Sequence, residues 1–166
     1  MSHPSSVSPD LFLLDNCEDF HDYALQLLAK TRRHLAILSR ELDPAIFNSN
    51  EFVDAVSQLA RSSRYAQIQI LVKDTKPLVE SGHKLVRLAQ RLSSKIAIRK
   101  LTVEADDKDM GFMLCDSNRL LYKNDEAIYQ GFANFEASVE VKRFRDTFDY
   151  LWQYGETDPD LQQLHI

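Results

Sequence analysis

His34-Leu-Ala-Ile-Leu-Ser39 and Gln67-Ile-Gln-Ile-Leu-Val-Lys73 are the two stretches on which the fold turns. The first is short, apolar and bounded by charge, the pattern of a strand buried on both faces. The second alternates at its start and also reads as a strand. Between them Asp43-Pro44 breaks the first strand, and Asn48 with Glu51 forms a cap pair. Phe52, Val53, Val56, Leu59 and Ala60 follow at helical spacing. A strand, a helix and a second strand in this order call for a parallel pair joined by a crossover helix.

Working outward, Asp15 and Glu18 resemble a capping box ahead of Phe20, Tyr23, Ala24, Leu27 and Leu28. These predict a first helix from Cys17 to Arg32. Downstream, Thr75 and Pro77 open a third helix, with Leu78, Leu85, Leu88, Ala89 and Leu92 on its apolar face. Ile96 and Ile98 alternate again, and Leu101 and Val103 prolong that strand. Gly111-Phe-Met-Leu-Cys-Asp116 and Arg119-Leu-Leu-Tyr-Lys123 read as a hairpin turning at Ser117-Asn118. Ala127–Tyr129 reads as a further short strand, and Val141, Phe144, Phe148, Leu151 and Trp152 stripe a last helix. The expected fold is α/β: a mixed, mostly parallel sheet with helices on both faces. Ile37, Ile70, Val72, Ile98, Met113 and Phe148 are its predicted core. One domain is expected over residues 15–155, between a mobile tail at 1–14 and an acidic tail at 156–166.

Composition narrows the function classes. The chain has 166 residues, 44% apolar and 27% charged, which suits a single globular domain. Twenty Lys and Arg against 25 Asp and Glu give a net charge of −5. Such a chain is not built for general attraction to polyphosphates, although a local basic patch stays open. Nucleic acid is therefore disfavoured as a partner but left open. Apolar runs such as Leu11-Phe-Leu-Leu14 are too short to span a membrane. Two cysteines, Cys17 and Cys115, stand in no ligand spacing, so two reduced thiols in a cytoplasmic protein are expected, with no metal and no cofactor. The Ser- and Pro-rich start lacks the pattern of a signal peptide.

The order of elements from His34 to Trp152 resembles one half of a phospholipase D-like domain. The parts that carry the likeness are Leu35–Pro44, Ile68–Asp74, the hairpin from Gly111 and the closing Phe148-Asp-Tyr-Leu-Trp152. The family signature is HxKxxxxD, with a His nucleophile, a Lys for the phosphoryl oxygens and a supporting Asp. On Asp109-Met-Gly-Phe-Met-Leu-Cys-Asp116, the resemblance puts Asp109 in the His position and Gly111 in the Lys position, and only Asp116 matches. Aspartate would repel a phosphodiester and lacks the imidazole nitrogen; glycine offers no cation. The family's GSxN element resembles Gly131-Phe-Ala-Asn134, whereas its usual spacing falls near Lys123-Asn124.

These residues imply a non-catalytic phospholipase D-like binding or interaction domain, with no catalytic residue. Arg40, Asp109, Gly111, Asp116, Lys123 and Asn124 are the candidate vestigial or binding positions. Two alternatives stay open. One is a phosphodiesterase or nuclease with a relocated site using Asp116 and Lys123. The other is an accessory domain of an acetyltransferase-type enzyme. Since family sites are built from two halves, a homodimer or protein partner is expected, with the Gly111–Asp116 strands near a twofold axis.

Other constellations read more simply as surface or core. His3, His21, His34, His83 and His165 form no HExxH, HxH or HxK, so surface or strand-end positions are expected. Lys84, Arg87, Arg91 and Lys95 share one helix face, a solvated face in the simpler reading and a phosphate stripe in the sharper one. Asp106, Asp107 and Asp109 lack the glycine and distant glutamate of a calcium loop. Four glycines cannot make a GxGxxG or Walker loop, and Ser39, Ser57 and Ser138 lack a GxSxG context.

Overall fold

In the computed structural model, residues 5–6, 8–103 and 109–162 are described. The strands are β1 (Ser5–Ser6), β2 (Leu11–Leu14), β3 (His34–Ser39), β4 (Gln67–Val72), β5 (Ile96–Lys100), β6 (Gly111–Cys115), β7 (Arg119–Lys123) and β8 (Gly131–Asn134). The helices are α1 (Cys17–Ala29), α2 (Pro44–Phe47), α3 (Asn50–Ser62), α4 (Lys76–Ser81), α5 (Lys84–Arg91), α6 (Ser138–Gln153) and α7 (Pro159–Gln162). One sheet runs in the order β1-β2-β8-β7-β6-β3-β4-β5.

The sheet is mixed, as expected, but its parallel part is the smaller one. Only β3–β4 and β4–β5 pair in parallel, because only those connections contain crossover helices. The pairings β3–β6, β6–β7, β7–β8, β8–β2 and β2–β1 are antiparallel. Leu35 and Ile37 of β3 face a core under α1, α3 and α5. Ala36 and Leu38 face the opposite core, under Val141, Phe148 and Leu151 of α6. Helices thus cover both faces.

Several boundaries move. Leu11–Leu14, expected within a mobile tail, is a sheet strand paired with β8, and Leu14 is buried. At the other end, Glu156 bridges Lys100 and Leu161 is buried, so the acidic segment packs back onto the domain through residue 162. The third helix divides into α4 and α5, because Gly82 takes φ +73 and ends α4. His83 then caps α5 through its side chain and is 4% exposed, contrary to the surface position expected. The caps of α1 and α3 are Asn16 and Ser49, each one residue beyond the predicted Asp15 and Asn48. Residues 127–129 form no strand; β8 begins at Gly131. Ile98 is only half-buried, since β5 is the edge strand, while the other five predicted core residues are fully buried. Asp106 and Asp107, like His3 and His165, lie outside the described residues.

Candidate functional site

The C-terminal ends of β3 and β7 lie beside the start of β6, because β6 runs antiparallel to both. A cavity of about 410 Å³ opens there. Its floor is apolar: Phe20 from α1, Ile46 and Phe47 from α2, Met113 and Leu121 from the hairpin. The exit of β3 supplies Ser39, Arg40, Glu41 and Asp43; the entry to β6 supplies Asp109 and Gly111; the exit of β7 supplies Lys123, Asp125 and Glu126.

Glu126 stands at the centre of this group. Its Oε2 accepts the backbone N–H of Arg40, and the Ser39 hydroxyl hydrogen-bonds its carboxylate. Its own N–H donates to the Asp109 carbonyl at 3.0 Å. Burial raises its pKa, opposed by the Ser39 hydrogen bond, Lys73, the Arg40 amide and Lys123. A Cβ on residue 111 would lie 2.5 Å from Glu126 Oε1. The carboxyl therefore fills the space that a side chain at position 111 would need.

Lys123 is 7% exposed. Its ammonium donates to the Glu126 carbonyl at 3.0 Å and lies 4.3 Å from the Tyr129 ring centroid and 5.4 Å from that of Phe20. Burial lowers its pKa, while Asp43 and Glu126 act the other way. Tyr129 donates its hydroxyl proton to Asp43 Oδ2 at 2.5 Å. That bond, with burial and a hydrogen bond to Cys17, raises the Tyr129 pKa. Lys73, at the exit of β4, donates to the Met110 carbonyl at 2.7 Å and ties the loop before β6 to the parallel half of the sheet.

Of the sequence-derived positions, Arg40, Asp109, Gly111 and Lys123 converge on this cavity. Asn124 follows Lys123 but does not line it. Asp116 sits at the far end of β6, about 16 Å away by strand rise. There its carboxylate accepts the backbone N–H groups of Arg32, Arg33 and His34 at 2.9–3.1 Å. It also pairs with Arg119 at 3.5 Å, and its carbonyl accepts Arg145 Nη2 at 2.6 Å. Asp116 takes φ +54 and starts a three-residue turn, 116–118, where a two-residue turn was expected. It closes the fold, and it stands at the opposite end of the hairpin from Lys123, the residue that the relocated-site alternative would use with it.

Sequence reasoning missed Glu126, Asp43 and Tyr129. Their only signal is position: each follows a strand whose C-terminal end faces this cavity, or enters it by hydrogen bonding. Among the described residues no three of His, Cys, Asp and Glu come together as a metal site. Lys84, Arg87 and Arg91 border a second depression, of about 670 Å³, beside α4 and α7. Lys84 is held there by Asn50 at 2.7 Å.

The fold is α/β and of the phospholipase D-like type. NucT from Helicobacter pylori superposes with a TM-score of 0.64 at 12% identity, over 89% of this chain and 97% of that one. Nuc from Salmonella typhimurium, a phospholipase D family member, gives 0.59 at 9%, over 89% and 97%. TrmBL2, an archaeal chromatin protein with a novel mode of DNA binding, gives 0.63 at 15% over 93% of this chain; the chain spans 56% of its length. By sequence the chain belongs to the family described as Domain of unknown function (DUF7931), whose model matches residues 16–164. No curated protein matches it. None of the helices in the described residues is long and apolar enough to cross a membrane.

Proposed function

We propose that the chain is a non-catalytic phospholipase D-like domain that binds a ligand at the Gly111 end of β6. One observation carries the reading. At the position that the family resemblance assigns to the phosphoryl-binding lysine there is Gly111, and the space above it holds the Glu126 carboxyl. A carboxyl there opposes the charge that a phosphodiester brings, so the electrostatic term of the family chemistry is reversed in sign. Asp109 in the nucleophile position adds to that repulsion. The acidic lining likewise speaks against DNA at this end of the sheet.

A relocated phosphodiesterase is the second reading, favoured by Glu126 and Lys123 facing one cavity with pKa values displaced toward each other. Assaying the full chain with bis(p-nitrophenyl) phosphate and with single-stranded DNA, with and without divalent cations, separates the two. No turnover is expected. Turnover that disappears in Glu126→Gln or Lys123→Met would overturn the non-catalytic reading.

A further inference from the structure

We propose that the cavity at the Gly111 end of β6 receives an organic cation, an ammonium group carried on an apolar chain. The inference rests on the non-catalytic reading and names the ligand class of the same site. The cavity itself comes first: about 410 Å³ is within the range of small-molecule pockets, and its floor is Phe20, Ile46, Phe47, Met113 and Leu121. An alkyl body laid on that floor leaves water.

The sign of the field comes second. Glu41, Asp43, Asp109, Asp125 and Glu126 line the cavity against Arg40 and Lys123, with Lys73 acting on Glu126 from nearby. The Lys123 ammonium is built into the wall by the Glu126 carbonyl and the Tyr129 ring. Arg40 is exposed and gives its backbone N–H, not its guanidinium, to the Glu126 carboxylate. Acidic side chains thus outnumber basic ones around the apolar floor.

The spread of the acids comes third. They arrive from three separate segments, the exits of β3 and β7 and the entry to β6, and among the described residues they do not gather as metal ligands. Carboxylates spread over three segments beside an apolar floor suit a broad organic cation better than a compact metal ion. The ammonium can come from a free amine or from a lysine side chain of a peptide.

Calorimetric titration of the full chain with chain-matched hexylammonium, hexanol and hexanoate tests the charge preference. Nα-acetyl-lysine amide is the peptide-type probe. Hexylammonium is expected to bind at least about tenfold tighter than hexanoate, a difference of about 1.4 kcal/mol. Glu126→Gln, which keeps an oxygen for the Arg40 amide, should weaken the amine several-fold and leave hexanol unchanged. Glu41→Gln, at an exposed position, should weaken it less. Either ranking of hexylammonium and acetyl-lysine amide supports the site and names the source of the ammonium. Equal binding of hexanoate or dimethyl phosphate, amine affinity unchanged in both variants, or no binding of either amine would overturn the proposal. Those outcomes leave the non-catalytic reading standing, whereas phosphodiester turnover overturns that reading independently.

Discussion

The His83 side chain ties the start of α5 to the loop that follows β3. Its Nδ1 accepts the Leu85 N–H at 3.1 Å, and its Nε2 donates to the Leu42 carbonyl at 3.1 Å. Both bonds are made only by the neutral imidazole with its proton on Nε2. Burial, reinforced by Lys84 and opposed by the Leu42 bond, lowers its pKa to about 4. The folded pKa lies below the unfolded value near 6.5, so the unfolded chain binds the proton more readily. Stability is therefore full above pH 6.5 and falls as the pH drops from there to about 4, by about 3 kcal/mol from this residue. His34, also lowered by burial and by Arg145, adds in the same direction. Glu126, raised by burial, acts oppositely, because its folded form binds the proton more readily. Urea midpoints measured between pH 7.5 and 4 should decline, and His83→Asn should flatten the slope. A midpoint independent of pH in the native chain would contradict the buried cap.

At the scale of elements, β4 is paired in parallel on both of its edges. Ile70 pairs in register with Ile37 of β3 and Ile98 of β5, and it is fully buried. Truncating Ile70 to Ala should cost about 2–5 kcal/mol, since strands paired on both sides leave the cavity little room to collapse. Chemical denaturation of Ile70→Ala would read this directly; an unchanged midpoint would remove Ile70 from the core. The opposite core is aromatic. Phe112 meets Phe144 at 5.2 Å and Phe148 at 6.3 Å, and Phe148 stacks on Trp152 at 5.7 Å. These contacts fix α6 against β6 and so hold the strand that begins at the cavity.

For the whole molecule, the sheet order constrains assembly. β6 is paired on both edges and buried along its length, so a twofold dimer with the two Gly111–Asp116 strands near its axis would bring them together at their ends. We propose that a twofold dimer, if built from this half-site, forms through the cavity end, where Ile128 stands 53% exposed just beyond the lining residue Ala127. Light scattering over a concentration series should show a doubled mass that Ile128→Asp returns to the monomer. A strictly monomeric mass at high micromolar concentration would reject the dimer.

Periodicity and apolar runs were enough for β3, α3 and β4, for the hairpin of β6 and β7, and for five of the six core residues named from sequence. Those signals are local: a buried strand or an amphipathic helix announces its own faces within one stretch of chain. The arrangement of the antiparallel half was not local. Which strands pair after β5 depends on contacts between segments far apart, such as Leu35 with Cys115 or Leu11 with Asn134. The same holds for the site. Arg40, Asp109, Gly111 and Lys123 were legible as positions of a resembled pattern. Glu126 gained its meaning only when the fold laid its carboxyl over Gly111 and against the Arg40 amide, 86 residues away. His83 likewise changed from a surface residue to a buried cap because Gly82 broke the helix and Leu42 supplied a carbonyl. Charge and spacing are written in the sequence, but burial and partnership belong to the packed sheet, and those decide how the pKa values of Glu126, Lys123 and His83 are displaced.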